Sequence, residues 1–231
     1  MTISVLIPAF NEADRIGDTI AALLPLKSKY PDFEIIVVDD GSSDDTSRVA
    51  REAGADVVHR QNNAGKGAAL TAAFNLSKGE ILILLDADVK DTAAECVKLA
   101  LPILQDETDM TIALFTRSSG TGGGVGLAVK LARWGIFKLT GRRMQAPLSG
   151  QRAFNRSLLV KTGGFASGWG VEVALTVRAL RAGFRLLEIP TTMSHRVTGK
   201  TFEGALHRAS QFFGILQTLV QLRREQISII G

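Results

Sequence analysis

The sequence predicts a single α/β domain in which helices cover both faces of a mainly parallel β-sheet. Short apolar runs alternate with helical segments through the first half of the chain, an order typical of parallel sheets. The length of 231 residues suits one large domain. Polar clusters directly follow three of the apolar runs. Because ligands of such sheets bind beyond the carboxyl ends of the strands, we expect the functional site there.

The first half contains five predicted strands separated by helices. The strands are rich in β-branched residues and have the length of buried strands. Right-handed crossovers then make neighbouring strands parallel. In chain order we expect a strand at 3–8, a helix capped by Asn11 and running to about Leu24, a strand at 34–38, a helix at 46–53, a strand at 57–58, a helix at 67–76, a strand at 80–85, a helix at 92–104 and a strand at 110–115.

The second half is less regular. The glycine-rich segment 118–126 predicts a mobile loop. The long last helix is rich in apolar residues and predicts packing against the body or a second copy in a homodimer, with a membrane surface as the alternative. The predicted elements are helices at 127–140, 171–182 and from 202 to about 224, and strands at 151–154 and 185–189.

Charge is distributed unevenly along the chain. Residues 1–109 hold 10 Lys or Arg and 19 Asp or Glu, whereas residues 110–171 hold 9 Lys or Arg and no acid. A long stretch without a carboxylate predicts an anionic partner. A nucleic acid is disfavoured, because the aromatic content is 6% and no recognition motif is present.

Cysteine use and hydropathy indicate a cytoplasmic protein. Cys96 is the one cysteine, so no internal disulfide can form. The first ten residues lack the features of a signal peptide. No apolar run reaches the roughly 18 residues that a spanning helix needs. The alternative is peripheral contact at the inner face of the membrane.

Asp86 and Asp88 follow a fully apolar strand and predict a metal site at the sheet edge. Two carboxylates suit Mg²⁺ or Mn²⁺, which bind protein oxygens together with substrate phosphates. Asp40 lies in a second polar turn after the strand at 34–38, where a carboxylate can contact a base or a ribose. Lys66 opens a helix, and a lysine with helix N–H groups can hold phosphate.

Four motifs together resemble the family 2 glycosyltransferases of GT-A fold. They occur in that family's order over the first 90 residues: PAFNE at 8–12, DDGS at 39–42, NAGKG at 63–67 and DAD at 86–88. The later segments 149–152 and 170–180 resemble polyprenyl-phosphate mannosyl- and glucosyltransferases. Segments 170–172 and 194–196 also resemble, more weakly, glucosyl-3-phosphoglycerate synthases.

The resemblance implies a UDP- or GDP-linked sugar donor held by residues 1–115, and an acceptor held by residues 116–231. The divalent ion is expected on Asp86, Asp88 and His195, with Asp88 as direct ligand and catalytic residue. The donor-binding residues implied are Pro8, Ala9, Glu12, Asp40, Lys66, Asp86, Ala87 and Asp88.

The acid-free segment favours an acceptor that carries a phosphate, such as a polyprenyl phosphate. Arg117, Arg142, Arg143 and Arg152 are the expected acceptor-binding residues, because arginine forks match phosphate oxygens. If the acceptor is an alcohol, Glu172 is the expected base. A small phosphorylated acceptor of the 3-phosphoglycerate type and a saccharide hydroxyl remain alternatives. A nucleotidyltransferase and a nucleic-acid-binding module are the competing classes.

Overall fold

The computed structural model describes residues 2–115, 126–193 and 202–230, and its centre is one seven-stranded sheet. The prediction of a single α/β domain is confirmed, since strands from both halves of the chain share this sheet. The strands are β1 (Ile3–Ala9), β2 (Phe33–Asp39), β3 (Val57–Arg60), β4 (Ile81–Leu84), β5 (Met110–Phe115), β6 (Arg152–Asn155) and β7 (Leu186–Thr191).

The strand order is β3-β2-β1-β4-β6-β5-β7, and every pairing is parallel except those of β6. β6 runs antiparallel to both β4 and β5, so Leu84 at the end of β4 lies opposite Arg152 at the start of β6. The residues that precede β6 therefore lie at the edge where the parallel strands end. We call this edge the carboxyl edge.

Helices cover both faces of the sheet. A 3₁₀-helix at Lys90–Cys96 precedes α4, so the predicted helix at 92–104 is two helices of different type. A second 3₁₀-helix at Gly168–Gly170 and the short helix α6 were not predicted. The helices are α1 (Ala13–Lys29), α2 (Thr46–Glu52), α3 (Lys66–Leu76), α4 (Val97–Leu104), α5 (Leu127–Thr140), α6 (Arg156–Lys161), α7 (Val171–Arg181) and α8 (Phe202–Ile230).

The start and end of α1 differ from the prediction. Asn11 has φ 55° and lies before the helix, whose N-cap position is Glu12. The side chain of Asn11 instead accepts a hydrogen bond from the Ser43 backbone N–H, at 2.8 Å. The helix continues past Leu24 to Lys29. The turn after β1 is thereby tied to the turn after β2.

Two apolar cores lie on opposite faces of the sheet. In β1, Leu6 packs in one core, while Val5 and Ile7 pack in the other, as the two-residue period of a strand requires. α8 packs very closely on its neighbours: a Cβ at Gly135 would lie 2.4 Å from Leu219. Glycine at that position therefore lets α5 and α8 approach each other.

Among the described residues, the helices are all too short or too polar to cross a membrane. α8 exposes Phe213, Leu216 and Val220 on the side away from the core. Pairing with a second copy through this helix stays a prediction. Part of the predicted glycine-rich loop, residues 118–125, lies outside the described residues.

Candidate functional site

Three charged side chains from separate elements meet at the carboxyl edge. Lys66, the first residue of α3, donates to Asp86 Oδ1 at 2.9 Å and to Glu172 Oε1 at 3.0 Å. Asp86 follows β4, and Glu172 lies in the first turn of α7. The Lys66 and Asp86 side chains are about one third exposed, at 35% and 33%, so solvent and a ligand can reach them. We call these three residues the edge cluster.

The edge cluster keeps Lys66 protonated. Burial by itself lowers the pKa of this ammonium group, but the negative charges of Asp86 and Glu172 and their hydrogen bonds outweigh burial. The net effect is a raised pKa for Lys66. The site therefore presents one fixed cation between two carboxylates at neutral pH.

Segment 149–151 completes the surroundings of Asp86. The side chain of Gln151 is buried and donates from Nε2 to Asp86 Oδ2 at 2.7 Å. A Cβ at Gly150 would lie 2.8 Å from Asp86 Oδ2 and 2.9 Å from Lys66 Nζ. A side chain at position 150 would therefore displace the ends of the ion pair from their present places. Neither Gly150 nor Gln151 was predicted from the sequence to be a site residue.

A buried threonine holds the loop that carries Asp86 and Asp88. Thr19 lies in α1 and is fully buried. Its hydroxyl donates to the Ala87 carbonyl at 2.7 Å and accepts from the Lys90 N–H at 2.9 Å. Lys90 has φ 53°, so this hydroxyl helps to hold a left-handed turn. Thr19 was missed, although a hydroxyl residue on the apolar side of an amphipathic helix is a visible signal.

Thr19→Val should weaken metal-dependent activity because the loop loses its tie to α1. We expect the apparent Kd for Mn²⁺ to rise about tenfold, the change that follows from roughly 1.4 kcal/mol in one buried hydrogen bond. Thr19→Ser keeps the hydroxyl and should restore the affinity. A Mn²⁺ titration of activity measures both variants, and equal loss in the two would show that only packing matters at this position.

Asp88 is partly exposed and lies at the same edge. It contributes to the electrostatics around Arg15, whose pKa is raised chiefly by its hydrogen bond to Glu12 and to a smaller extent by Asp14 and Asp88. Arg15 Nη1 lies 2.9 Å from Glu12 Oε2. The first turn of α1 thus places a cation on the side of Asp88.

The oxygen ligands available at this edge fit a divalent cation. Asp86 and Asp88 supply carboxylate oxygens, and Mg²⁺ sites often use one or two carboxylates with water and substrate phosphates. Among the side chains that the structure describes, no three acidic, histidine or cysteine groups cluster into a complete metal site. His195, the third predicted ligand, lies outside the described residues.

Asp40 has a structural role in addition to its predicted contact with the base of the donor. It is 5% exposed, and its carboxylate accepts from Gln61 Nε2 at 2.7 Å and from the N–H groups of Ala64 and Gly65 at 2.9 and 2.8 Å. A carboxylate has about four acceptor positions, so roughly one remains. Asp40 shapes the segment that leads into Lys66, and its contact with a donor base stays a prediction.

The other predicted donor-binding residues also lie near the carboxyl edge. Pro8 and Ala9 are the last residues of β1, with Ala9 buried, and Ala87 is buried between the two aspartates. Glu12 is partly buried, and its N–H donates to Thr46 Oγ1 at 2.9 Å. Their roles toward a donor stay predictions.

The position of Arg152 differs from its predicted role in binding the acceptor. Its side chain is fully buried, and it donates to the carbonyls of Ser149, Pro147 and Glu172 at 2.7, 3.0 and 3.0 Å and to Thr176 Oγ1 at 2.7 Å. Burial lowers its pKa to about 10, although Glu172 and Glu188 oppose that shift. The expectation that Arg152 holds an acceptor is wrong, because its side chain is fully buried and four of its five N–H groups are already used inside the protein.

Arg152 instead joins the two segments that supply the edge cluster. The carbonyls of Pro147 and Ser149 precede Gln151, and the carbonyl of Glu172 lies in the first turn of α7. The guanidinium therefore ties the segment that leads to Gln151, which contacts Asp86, to the first turn of α7, which carries Glu172. We describe Arg152 as a positioning residue.

Arg142 and Arg143 are exposed but lie away from the edge cluster. Arg142 Nη2 is 3.4 Å from the carbonyl of Leu186, the first residue of β7, at the opposite edge of the sheet. Arg143 stacks its guanidinium 5.1 Å from the centre of the Phe137 ring. The structure does not bring these two arginines to the site, and Arg117 lies outside the described residues.

Comparison with known proteins identifies the family. The family model described as "Glycosyl transferase family 2" matches residues 4–166. The chain belongs to this family. The match contains the four motifs of the first half as well as Gly150 and Gln151.

Curated relatives include enzymes with two kinds of acceptor in their names. The chain is 34% identical over 196 residues to a glucosyl-3-phosphoglycerate synthase of Mycolicibacterium paratuberculosis, covering 76% of this chain and 59% of the relative. It is 28% identical to glycosyltransferase AglJ of Haloferax volcanii, covering 85% and 64%. It is also 28% identical to an undecaprenyl-phosphate 4-deoxy-4-formamido-L-arabinose transferase of Edwardsiella ictaluri, covering 99% and 71%. The chain thus spans about three fifths of the length of the first two.

Solved structures of the same fold include glucosyl-3-phosphoglycerate synthase from Mycobacterium tuberculosis. One complex contains Mn²⁺, UDP and phosphoglyceric acid, with a TM-score of 0.80, 28% identity and coverage of 96% of this chain and 78% of that one. Another contains Mg²⁺ and UDP, with a TM-score of 0.77, 26% identity and coverage of 96% and 79%. The predicted GT-A fold is confirmed.

Proposed function

We propose that the protein transfers a sugar from a nucleotide-diphosphate sugar to an acceptor that carries a phosphate, with Mg²⁺ or Mn²⁺ at the carboxyl edge. The observation that carries the proposal is the edge cluster, in which α3, the loop after β4 and α7 bring one cation and two carboxylates together. Metal and UDP in complexes of the mycobacterial synthase support the same chemistry for this chain.

Asp86 and Asp88 would hold the divalent ion, with His195 as third ligand. When bound, such an ion neutralises the negative charge that develops on the leaving nucleoside diphosphate. Lys66 adds a second fixed positive charge at the same edge, and Gln151 orients Asp86. The charges that would contact the diphosphate are therefore in place before the donor binds. Electrostatic stabilisation is most effective when the stabilising groups are preorganised in this way.

Glu172 is the proposed base for an acceptor hydroxyl. Its side chain is 14% exposed and is held by Lys66, so its carboxylate is fixed in direction. A carboxylate in this position can take the proton of a hydroxyl that attacks the sugar. A phosphate oxygen is already anionic and does not need this step. The role of Glu172 thus depends on which acceptor atom forms the new bond.

Two sources of the acceptor phosphate are compatible with these groups. In a small acceptor such as 3-phosphoglycerate, a hydroxyl attacks and the phosphate serves for recognition. In a polyprenyl phosphate, the phosphate oxygen itself attacks. The named relatives contain both kinds. The acid-free segment 110–171 supports an anionic acceptor in either case.

A transfer assay with both acceptors tests the proposal. We expect sugar transfer from UDP-glucose or GDP-mannose in the presence of Mn²⁺, and its loss with EDTA. Glu172→Gln should lower the rate about a hundredfold or more if a hydroxyl attacks, and far less if a phosphate oxygen does. Transfer to a neutral sugar alone would contradict the proposed acceptor class, and transfer undiminished by EDTA would contradict the metal.

A further inference from the structure

Helix α5 carries an exposed face that is both apolar and basic. Leu127, Trp134 and Phe137 are 73%, 58% and 39% exposed. At 100° per residue these three side chains lie on one side of the helix. Lys130 and Lys138 are exposed on the same side. The buried residues of α5 point the other way, into the core: Ala128, Ala132, Gly135 and Ile136.

The charges that segment 127–143 itself carries are of one sign. Five exposed cations occur between residues 127 and 143, and the sequence has no acidic residue there. Three of them contact uncharged groups: Arg133 the Gln145 carbonyl, Arg142 the Leu186 carbonyl, and Arg143 the Phe137 ring. These contacts leave the positive charge in place. The five cations are Lys130, Arg133, Lys138, Arg142 and Arg143.

Charge decides what can cover this face. A second copy of the same face would set five cations against five cations, which repel each other. An anionic partner is therefore favoured over a second copy of this face. Exposed Trp, Phe and Leu between Lys and Arg on one helix are typical of helices that lie in the headgroup region of a membrane, where an indole ring has one apolar and one wet side.

We propose that the exposed face of α5 binds the surface of an anionic membrane. The helix has 14 residues, which is about 21 Å of length at 1.5 Å per residue. Its basic residues would meet lipid phosphates while Trp134 and Phe137 enter the headgroup region. α5 also packs on α7, the helix whose first turn carries Glu172. The face is thus one helix layer away from the edge cluster.

Flotation with lipid vesicles tests this surface without any nucleotide sugar. The protein should float with vesicles of phosphatidylcholine and phosphatidylglycerol at low salt. It should not float with vesicles of phosphatidylcholine alone. Binding to anionic vesicles should fall at high salt, because a single helical face with basic residues gives weak, salt-sensitive attachment.

Two double variants separate the apolar and the basic contributions. Trp134→Ser with Phe137→Ser should lower the bound fraction several-fold, and so should Lys130→Gln with Lys138→Gln. Val160→Ser is the matched control, since Val160 is 66% exposed on α6 and should leave binding unchanged. Circular dichroism checks that all three variants fold.

Three results would overturn the proposal: no flotation with anionic vesicles, equal flotation with neutral vesicles, or binding that both double variants leave unchanged. If the protein retards DNA in a gel-shift assay but does not float with vesicles, its anionic partner is a nucleic acid. That result would equally contradict the proposal. Failure here leaves sugar transfer to a soluble phosphorylated acceptor intact. Conversely, if the protein did not bind a nucleotide-sugar donor, the proposal that α5 binds a membrane would still stand.

Discussion

Lys66→Met should lower sugar transfer about a hundredfold to a thousandfold, the range found when one preorganised donor to a developing charge is removed. Methionine keeps much of the length of the lysine side chain but removes the charge. Asp86 and Glu172 then lose their shared cation, the Lys66 ammonium group, which donates to them at 2.9 and 3.0 Å. Two carboxylates without a cation between them repel each other and reorient, so the site loses both charge and geometry.

Steady-state kinetics with saturating Mn²⁺ measures this effect, and the matched control is Lys78→Met. Lys78 is exposed and lies after α3, the helix that Lys66 begins. The control should retain the activity of the unmodified protein. Equal activity of the two variants would show that the edge cluster is a structural ion pair and not part of the transfer machinery.

Arg152→Leu should lower the free energy of unfolding by about 3 to 5 kcal/mol. The guanidinium donates four hydrogen bonds inside the protein, and each bond to a charged group contributes roughly 1.5 to 3 kcal/mol before relaxation and water entry reduce the sum. Leucine fills part of the space but leaves the buried carbonyls of Pro147 and Ser149 without the donor that Arg152 supplies. Chemical denaturation measures the change.

Arg143→Leu is the comparison for Arg152→Leu. Arg143 is exposed and contacts a ring, so its replacement should change stability by no more than about 0.5 kcal/mol. If Arg152→Leu were as harmless, the buried network would not hold segment 147–151 and α7 together. The positioning role assigned to Arg152 would then be wrong.

The elements of the sheet were predictable where local pattern decides them. Apolar runs marked β1, β2 and β4 because both of their faces are buried in the two cores. The direction of β6 was not predictable in this way, since a short run such as Arg152–Asn155 looks the same whichever way it pairs. That direction is set by the path of the chain before it, and it brings Gln151 to Asp86.

The site was predictable in part. Carboxylates after apolar strands marked Asp86 and Asp88, and a lysine at a helix start marked Lys66. Arg152 was assigned wrongly because a count of charges does not report burial. Thr19 was missed because its hydroxyl acts on a loop about seventy residues away, a contact that spacing along the chain does not reveal.

The most direct test of the account is calorimetric titration of UDP and GDP with and without Mn²⁺. We expect one nucleotide to bind at least about tenfold more tightly with Mn²⁺, as a metal shared between carboxylate and diphosphate implies. Asp88→Asn should abolish that difference, while Asp91→Asn, at an exposed position of the 3₁₀-helix that follows, should retain it. Equal affinity with and without Mn²⁺, or a metal effect that survives in Asp88→Asn, would contradict a metal-assisted donor site at the carboxyl edge.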